Sequence, residues 1–340
     1  MKLLVCGDFA FDFYEPAFCR ALRAAGAEVI ELPVLRWFAP LRAAQTRLLL
    51  GPGPALANAA LVLACARERP DAVLLWRTPW VKPLALRLAR AAGAGLLALY
   101  NNDDPFGPDR DRRIWRAFRR LIPHADLCLA YREVNLAEYR AAGARRVALL
   151  RSGFDPLVHR PPHEPPPPGA SAAPTADVVF VGHGEDDERL EALDALAQTS
   201  LTVRVHGTGW ERLLRGRPAA RYLPIQVALG QEYVRAIASA KVALAFLSRR
   251  NRDGYTRRCF EIPAIGALLL APRTPELLRL FREDVEAAFF SSPAELVAQA
   301  RRYCGDASLR ARVAAAGRAR VLQDGHDLVS RARELLATLS

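Results

Sequence analysis

The chain has 340 residues, 51% of them apolar and 25% charged, which suits two globular domains of ordinary size and excludes a disordered or collagen-like polymer. Its net charge of +12 comes almost wholly from arginine, the only lysines being Lys2, Lys82 and Lys241, a bias expected of a bacterial protein from a GC-rich genome. A basic chain favours anionic partners, which include nucleic acid, nucleotide sugars, acidic glycans and membrane surfaces. The six cysteines form no C-x-x-C pair, so no zinc site is indicated and they read as reduced thiols of a cytoplasmic protein. No signal-peptide pattern opens the chain, and the longest apolar runs, near 55–66 and 262–271, are too short to span a bilayer; a soluble protein is expected.

Short apolar runs alternate with helix-period segments from the start. Strands are expected near Lys2–Cys6, Glu28–Leu32, Ala72–Trp76, Gly95–Tyr100, Leu127–Tyr131 and Arg146–Leu150, with helices at Glu15–Ala25, Ala55–Glu68, Val81–Ala92, Arg110–Leu121 and Glu133–Ala142. Such alternation builds a parallel sheet covered by helices on both faces. In the Arg110–Leu121 helix, Ile114, Phe118 and Leu121 share one face while five arginines lie largely elsewhere, as a solvated face or as a contact for an anionic surface.

The proline-dense stretch 155–175 cannot form a helix or a central strand and reads as a semi-rigid linker. The alternation then restarts, with strands at Asp177–Val181, Leu201–His206, Val242–Phe246, Ala267–Ala271 and Ala287–Phe290. Helices are expected near Asp187–Gln198, Gly230–Ser239, Pro275–Phe281, Pro293–Tyr303, Ser308–Leu322 and His326–Leu339. The domain reading is therefore 1–154, the linker 155–175, a second domain 176–320, and a C-terminal helix in 321–340 that packs back across the hinge. The expected fold is α/β, two Rossmann-like parallel-sheet domains facing each other across a cleft.

Open sheets of this type bind ligands beyond the carboxyl ends of their strands. That places Asp8, the Asn101-Asn102-Asp103-Asp104 loop, Gly182-His183-Gly184, Gly207 to Trp210 and the 248–256 loop at candidate sites. The backbone amides beside Gly182 and Gly184 can approach a phosphate, although the full G-x-G-x-x-G spacing is missing and a dinucleotide fingerprint is not supported. His183 is a phosphate donor or a plain loop residue. Trp210 stacks on a base or fills the core. Asp103 and Asp104 suit acceptor recognition better than a metal, because two adjacent carboxylates make a thin site.

The densest chemistry lies in 251–266. Thr256 can cap a helix that Gly266 ends, yet the first turn carries Arg257 and Arg258 at the positive end of the dipole, and Pro263 deletes an internal hydrogen bond. An anion bound at the helix start would turn those arginines into a clamp. Asp253 and Glu261, a loop carboxylate and a helix carboxylate, can converge on a vicinal diol such as ribose.

With these residues in view, the chain resembles the CgeB-like glycosyltransferase-related family. The matching blocks are Asn101-Asn-Asp-Asp-Pro-Phe106, Tyr131-Arg-Glu-Val-Asn135, Ser152-Gly-Phe-Asp-Pro156, Phe180-Val-Gly-His-Gly184, Asn251-Arg-Asp253 with Tyr255-Thr256, and Arg258-Cys-Phe-Glu-Ile-Pro-Ala264. The wider relation is to the GT-B glycosyltransferases. The resemblance implies a nucleotide sugar held by the second domain, through Gly182, Gly184, Gly207, Trp210, Asp253, Tyr255, Arg257 and Glu261. Glu261 stands as the second Glu of the family's paired acids, the ribose contact, and Asp253 stands where the first would be. It further implies transfer to a glycan, lipid-linked or protein acceptor on the first domain at Asp8, Asn101, Asn102, Asp103 and Asp104, with retention, without a metal and without a cofactor beyond the nucleotide-sugar co-substrate. Departure of the diphosphate falls to His183, Arg189, Arg252 and Arg258, His183 and Arg189 replacing the family's Arg and Lys.

The other reading is a catalytically degenerate binding protein for an anionic glycan or surface. A transferase predicts that Glu261→Ala abolishes donor binding and spares the fold, Glu261 lying at a partly open cleft. The binding module predicts loss when Arg113, Arg116 and Arg120 are neutralised. No nucleic-acid partner is expected, since no zinc finger, aromatic ribonucleoprotein motif or helix-turn-helix is present.

Overall fold

The computed structural model describes residues 1–39, 41–162 and 174–340. Most of the proline-rich stretch, 163–173, lies outside the described residues, and so does the linker reading placed on it. The chain divides into two compact units, 1–152 with 328–340, and 153–327.

The first unit holds six parallel strands, β1 (Lys2–Gly7), β2 (Glu28–Pro33), β3 (Ala72–Trp76), β4 (Leu96–Asn101), β5 (Leu127–Ala130) and β6 (Val147–Leu149), in the order β2-β1-β3-β4-β5-β6. The central strands are buried on both faces, so they read as unbroken apolar runs. The final helix, Leu328–Leu339, belongs to this unit: it packs on the helix Glu15–Ala24, and the Thr338 carbonyl accepts Arg146 Nη2 at 3.0 Å.

The second unit holds five parallel strands, β7 (Ala176–Val181), β8 (Val203–His206), β9 (Ala240–Leu244), β10 (Leu268–Pro272) and β11 (Ala288–Phe290), in the order β11-β10-β9-β7-β8. In each sheet the strand order reverses at one place, between β1 and β3 and between β7 and β9. The loops leaving those strands are where open α/β sheets receive ligands.

Residues 153–159 begin the second unit rather than a linker: Phe154, Asp155 and His159 are buried, and Phe154 donates its amide to the His326 carbonyl at 3.0 Å. Five further elements join those expected, the 3-10 turns Leu35–Phe38, Ile122–His124 and Pro218–Tyr222 and the short helices Arg42–Leu48 and Glu211–Leu214. The helix expected over Arg110–Leu121 spans Arg113–Arg119.

Candidate functional site

Beyond β9 the chain makes a loop and enters the helix Arg258–Ile265. Thr256 does accept a backbone N–H, from Arg258 at 3.1 Å, but as a tight turn; the N-cap position is Arg257. Gly266 ends the helix at φ 92°, the left-handed conformation a C-terminal glycine supplies without a Cβ clash. Arg257 is answered within the helix by Glu261 one turn on, Nε to Oε1 3.2 Å. Arg258 lies against the chain after β7, its Nη2 3.3 Å from where a Cβ on Gly182 would stand.

Glu261 is 2% exposed, which corrects the open-cleft expectation. Tyr233 donates its hydroxyl to Oε2 at 2.7 Å, and His159 Nε2 faces Oε1 at 3.7 Å. His159 Nδ1 accepts the Asp155 amide at 2.9 Å, so the ring proton of the neutral form sits on Nε2, toward the carboxylate. Burial holds His159 below its usual pKa, and the nearby Glu261 only partly offsets that. For Glu261 burial pushes upward, but Arg257, His159, Arg258 and the Tyr233 bond outweigh it and hold the carboxyl below its ordinary range.

Several expected donor ligands have structural duties instead. Arg189 is buried, with Nε 2.7 Å from Asp187 Oδ1, Nη2 2.9 Å from Asp187 Oδ2 and Nη1 2.7 Å from the His183 carbonyl; its Nη2 also reaches the Leu247 carbonyl at 3.3 Å. It ties the chain after β7 to the chain after β9 and has little left for a diphosphate. The amides of Gly182, Gly184 and Gly207 donate to the carbonyls of His206, Thr208 and Gln226, so they do not form a phosphate cradle. These glycines serve close approach: a Cβ on Gly207 would overlap the Gly182 carbonyl, and one on Gly184 would press on Gly209 and the Trp210 ring. Trp210 is fully buried and donates Nε1 to the Gly182 carbonyl at 3.0 Å, so it is a core residue and not a base platform. Tyr255 is equally buried, its ring 5.5 Å from that of Phe260.

Asp253 and Ser248 close the loop after β9 reciprocally, Asp253 N to Ser248 O at 3.0 Å and Ser248 N to Asp253 Oδ2 at 3.3 Å. Asp253 and Arg252 line a cavity of about 650 Å³ with Ser248, Arg273 and Ser291; Glu261 is not part of its wall. The two acids therefore face different neighbours. His183 stays exposed, its Nδ1 2.9 Å from Thr208 Oγ1.

In the first unit, Arg77 joins two of the expected residues, with Nη2 2.6 Å from Asp8 and Nη1 3.3 Å from Asp103. Arg77 leaves β3 at φ 47°. Behind Asp8 lies Glu15, 1% exposed, with one carboxylate oxygen lacking any hydrogen-bond partner. Burial and the Asp8 charge push its pKa up to about 7. Asp104 departs from the expected acceptor role: it is buried and accepts Phe106 N and Asn135 Nδ2, each at 2.9 Å. Asp103 and Asp104 thus point to separate partners rather than to one ion. Among the described residues, no group of three or more His, Cys, Asp or Glu side chains is arranged to hold a metal. Asn102 accepts Trp76 Nε1 at 3.2 Å; Asn101 is buried, accepts Asp103 N at 3.1 Å, and leaves its own Nδ2 without a partner.

Arg77, Glu15, His159 and Tyr233 escape sequence reasoning. The one signal within reach was position, since Arg77 follows β3 and Glu15 opens the helix after β1, both beside the strand-order reversal.

Residues 189–337 match the family model described as glycosyl transferase-like. No curated protein matches the chain. Among solved structures the chain is similar to sucrose-phosphate synthase from Thermosynechococcus elongatus, at 15% identity and a TM-score of 0.71, covering 99% of this chain and 97% of that one. It is also similar to Anabaena HepE in complex with UDP-glucose, at 16% identity and 0.67, covering 100% and 99%. A glycosyltransferase from Rickettsia africae matches at 13% and 0.63, over 99% and 97%. The whole chain has the two-sheet GT-B fold of these structures, and its segment 189–337 carries the glycosyl transferase-like sequence pattern.

Proposed function

We propose that this protein is a glycosyltransferase of the CgeB-like branch, acting in the cytoplasm, that moves a sugar from a nucleoside diphosphate to a glycan, lipid-linked or protein acceptor, with retention and without a metal. The observation that carries the reading is the pair Arg257 and Arg258, opening a helix just beyond β9 at the strand-order reversal, with Arg258 lying against Gly182. As the bond from the anomeric carbon to the diphosphate oxygen breaks, negative charge grows on the departing diphosphate. Fixed cations at a helix N-terminus are well suited to receive it, and removing one such donor typically costs about 100-fold or more in rate. Arg258 has the leading role, Arg252 and His183 assist, and Glu261 keeps Arg257 in place. On the acceptor side, Arg77 holds Asp8 and Asp103 where hydroxyl groups can bond to them.

The degenerate binding protein for an anionic glycan or surface is kept as a second reading because Arg189 and the three glycine amides are spent on internal bonds. Melting curves against a panel of nucleoside diphosphates and their sugars, UDP-glucose among them because HepE holds it, separate the two. A ligand of the native state raises the melting temperature. The transferase reading predicts a rise with one nucleotide family that Arg258→Gln removes; no rise with any nucleotide supports the second reading.

A further inference from the structure

One surface of the first unit has no part in the donor or acceptor chemistry. Between Glu31 and Glu68 the sequence contains no acidic residue. The helix Pro52–Glu68 carries no charge before Arg67, and its solvent-facing side shows Leu56, Ala59 and Leu63, with Leu63 68% exposed. A surface helix of a globular protein is ordinarily polar on that side. The preceding helix, Arg42–Leu48, is flanked by exposed Leu41 and Leu50, and with Pro52–Glu68 it forms a pair bent by 73° that is apolar enough, taken together, to pass for a membrane segment. Among the described residues no single helix is long and apolar enough to cross a bilayer.

The same surface is cationic. The helix Arg113–Arg119 packs on Arg42–Leu48, and Arg113, Arg116 and Arg120 fall at i, i+3 and i+7, all exposed. Lys82 reaches the Leu49 carbonyl at 3.5 Å and is close enough to Arg113 and Arg120 that they, after burial, hold its pKa down. Among the described residues none of Arg42, Arg47, Arg113, Arg116 and Arg120 makes a salt bridge. A sparse crown of leucines beside clustered, unanswered cations has two complementary features in one partner, an apolar layer a few ångströms beneath an anionic surface.

We propose that this face of the first unit docks on an anionic lipid bilayer, the leucines of 41–63 entering the headgroup boundary and the arginines of 113–120 lying on the lipid phosphates. The inference is independent of catalysis, since it uses none of the residues assigned to donor or acceptor.

Flotation of the full chain with vesicles of phosphatidylcholine, alone or mixed with phosphatidylglycerol, tests it. The chain is expected to float with the mixed vesicles and not with phosphatidylcholine alone. Arg113→Gln/Arg116→Gln/Arg120→Gln is expected to weaken partitioning by about 100-fold, the scale of three basic side chains at an anionic surface. Leu56→Gln/Leu63→Gln is expected to weaken it by about 10-fold, and both variants should melt as the parent does, their sites being exposed. No flotation, equal flotation with both compositions, or binding unchanged in both variants overturns the proposal. So does a leucine pair without effect combined with displacement by duplex DNA, which marks a general polyanion surface. A self-association that the leucine pair abolishes, without vesicle binding, assigns the face to a second copy of the chain instead. Nucleotide-induced melting shifts should persist in both variants, so failure here leaves the transferase reading standing, and failure there leaves this one.

Discussion

The two strand-order reversals hold carboxylates of opposite character. In the second unit Glu261 is buried and fully attended, with Tyr233, Arg257 and His159 around it, and its pKa is lowered. In the first unit Glu15 is as deeply buried, but one oxygen has no partner, Asp8 stands close by, and its pKa is raised to about 7. Burial acts on both in the same direction, so neighbouring charge and hydrogen bonding decide the sign. One carboxylate supports the fold as an anion; the other costs the fold stability once it ionises.

The largest effect expected from this contrast is that of Glu261→Ala. Removing it leaves Arg257, His159 and the Tyr233 hydroxyl without their acceptor, and breaking one side of a buried ion pair costs about 3–5 kcal/mol. A chemical denaturation midpoint that falls accordingly fits the account; a loss under about 1 kcal/mol means that the cluster is not a structural unit. This variant therefore cannot isolate donor binding, and Arg258→Gln is the better probe.

Next comes Glu15→Gln. A raised folded-state pKa gives stability that is full below the unfolded value of 4.5 and is lost as pH rises to about 7. The variant should thus gain roughly 1–3 kcal/mol over the parent at pH 8, the scale of a shift of that size. The gain should vanish below about pH 4.5. Glu261 has the reverse sign: its lowered pKa gives stability present above the unfolded value and lost as pH falls through the folded one. A Glu15→Gln gain that is the same at every pH breaks the comparison.

Smallest is Tyr233→Phe, which removes one hydrogen bond to a charged acceptor while Arg257 still holds the other oxygen. About 1.5–3 kcal/mol bounds the loss, and the denaturation midpoint should move less than for Glu261→Ala.

Eleven strands were legible because two buried sheets require uninterrupted apolar runs of strand length. The helix Arg42–Leu48 was not legible: it has seven residues, no side-chain cap and no apolar stripe to set its period, its buried residue being Gln45. The site was less readable than the fold for a related reason. Arg257 and Glu261 stood out as breaches of local rules, whereas Arg77 was one arginine among many and His159 lay at the edge of a proline-rich stretch. Their roles come from partners distant in sequence, Asp103 and Glu261, and only the folded sheets bring those together. Arg189 and Trp210 show the converse, residues of the right type in the right loop that the fold itself consumes.

The central claim is that the second unit, through the arginines after β9, binds a nucleoside diphosphate. Calorimetric titration of UDP, the nucleotide of the HepE complex, and of the other nucleoside diphosphates into the parent, Arg258→Gln and Arg77→Gln tests it most directly. The account predicts saturable binding of one nucleotide that Arg258→Gln weakens by about 10-fold or more, as loss of a charge-assisted contact should, and that Arg77→Gln leaves unchanged. Binding that survives Arg258→Gln and disappears with Arg77→Gln would contradict it, placing the anion on the first unit instead.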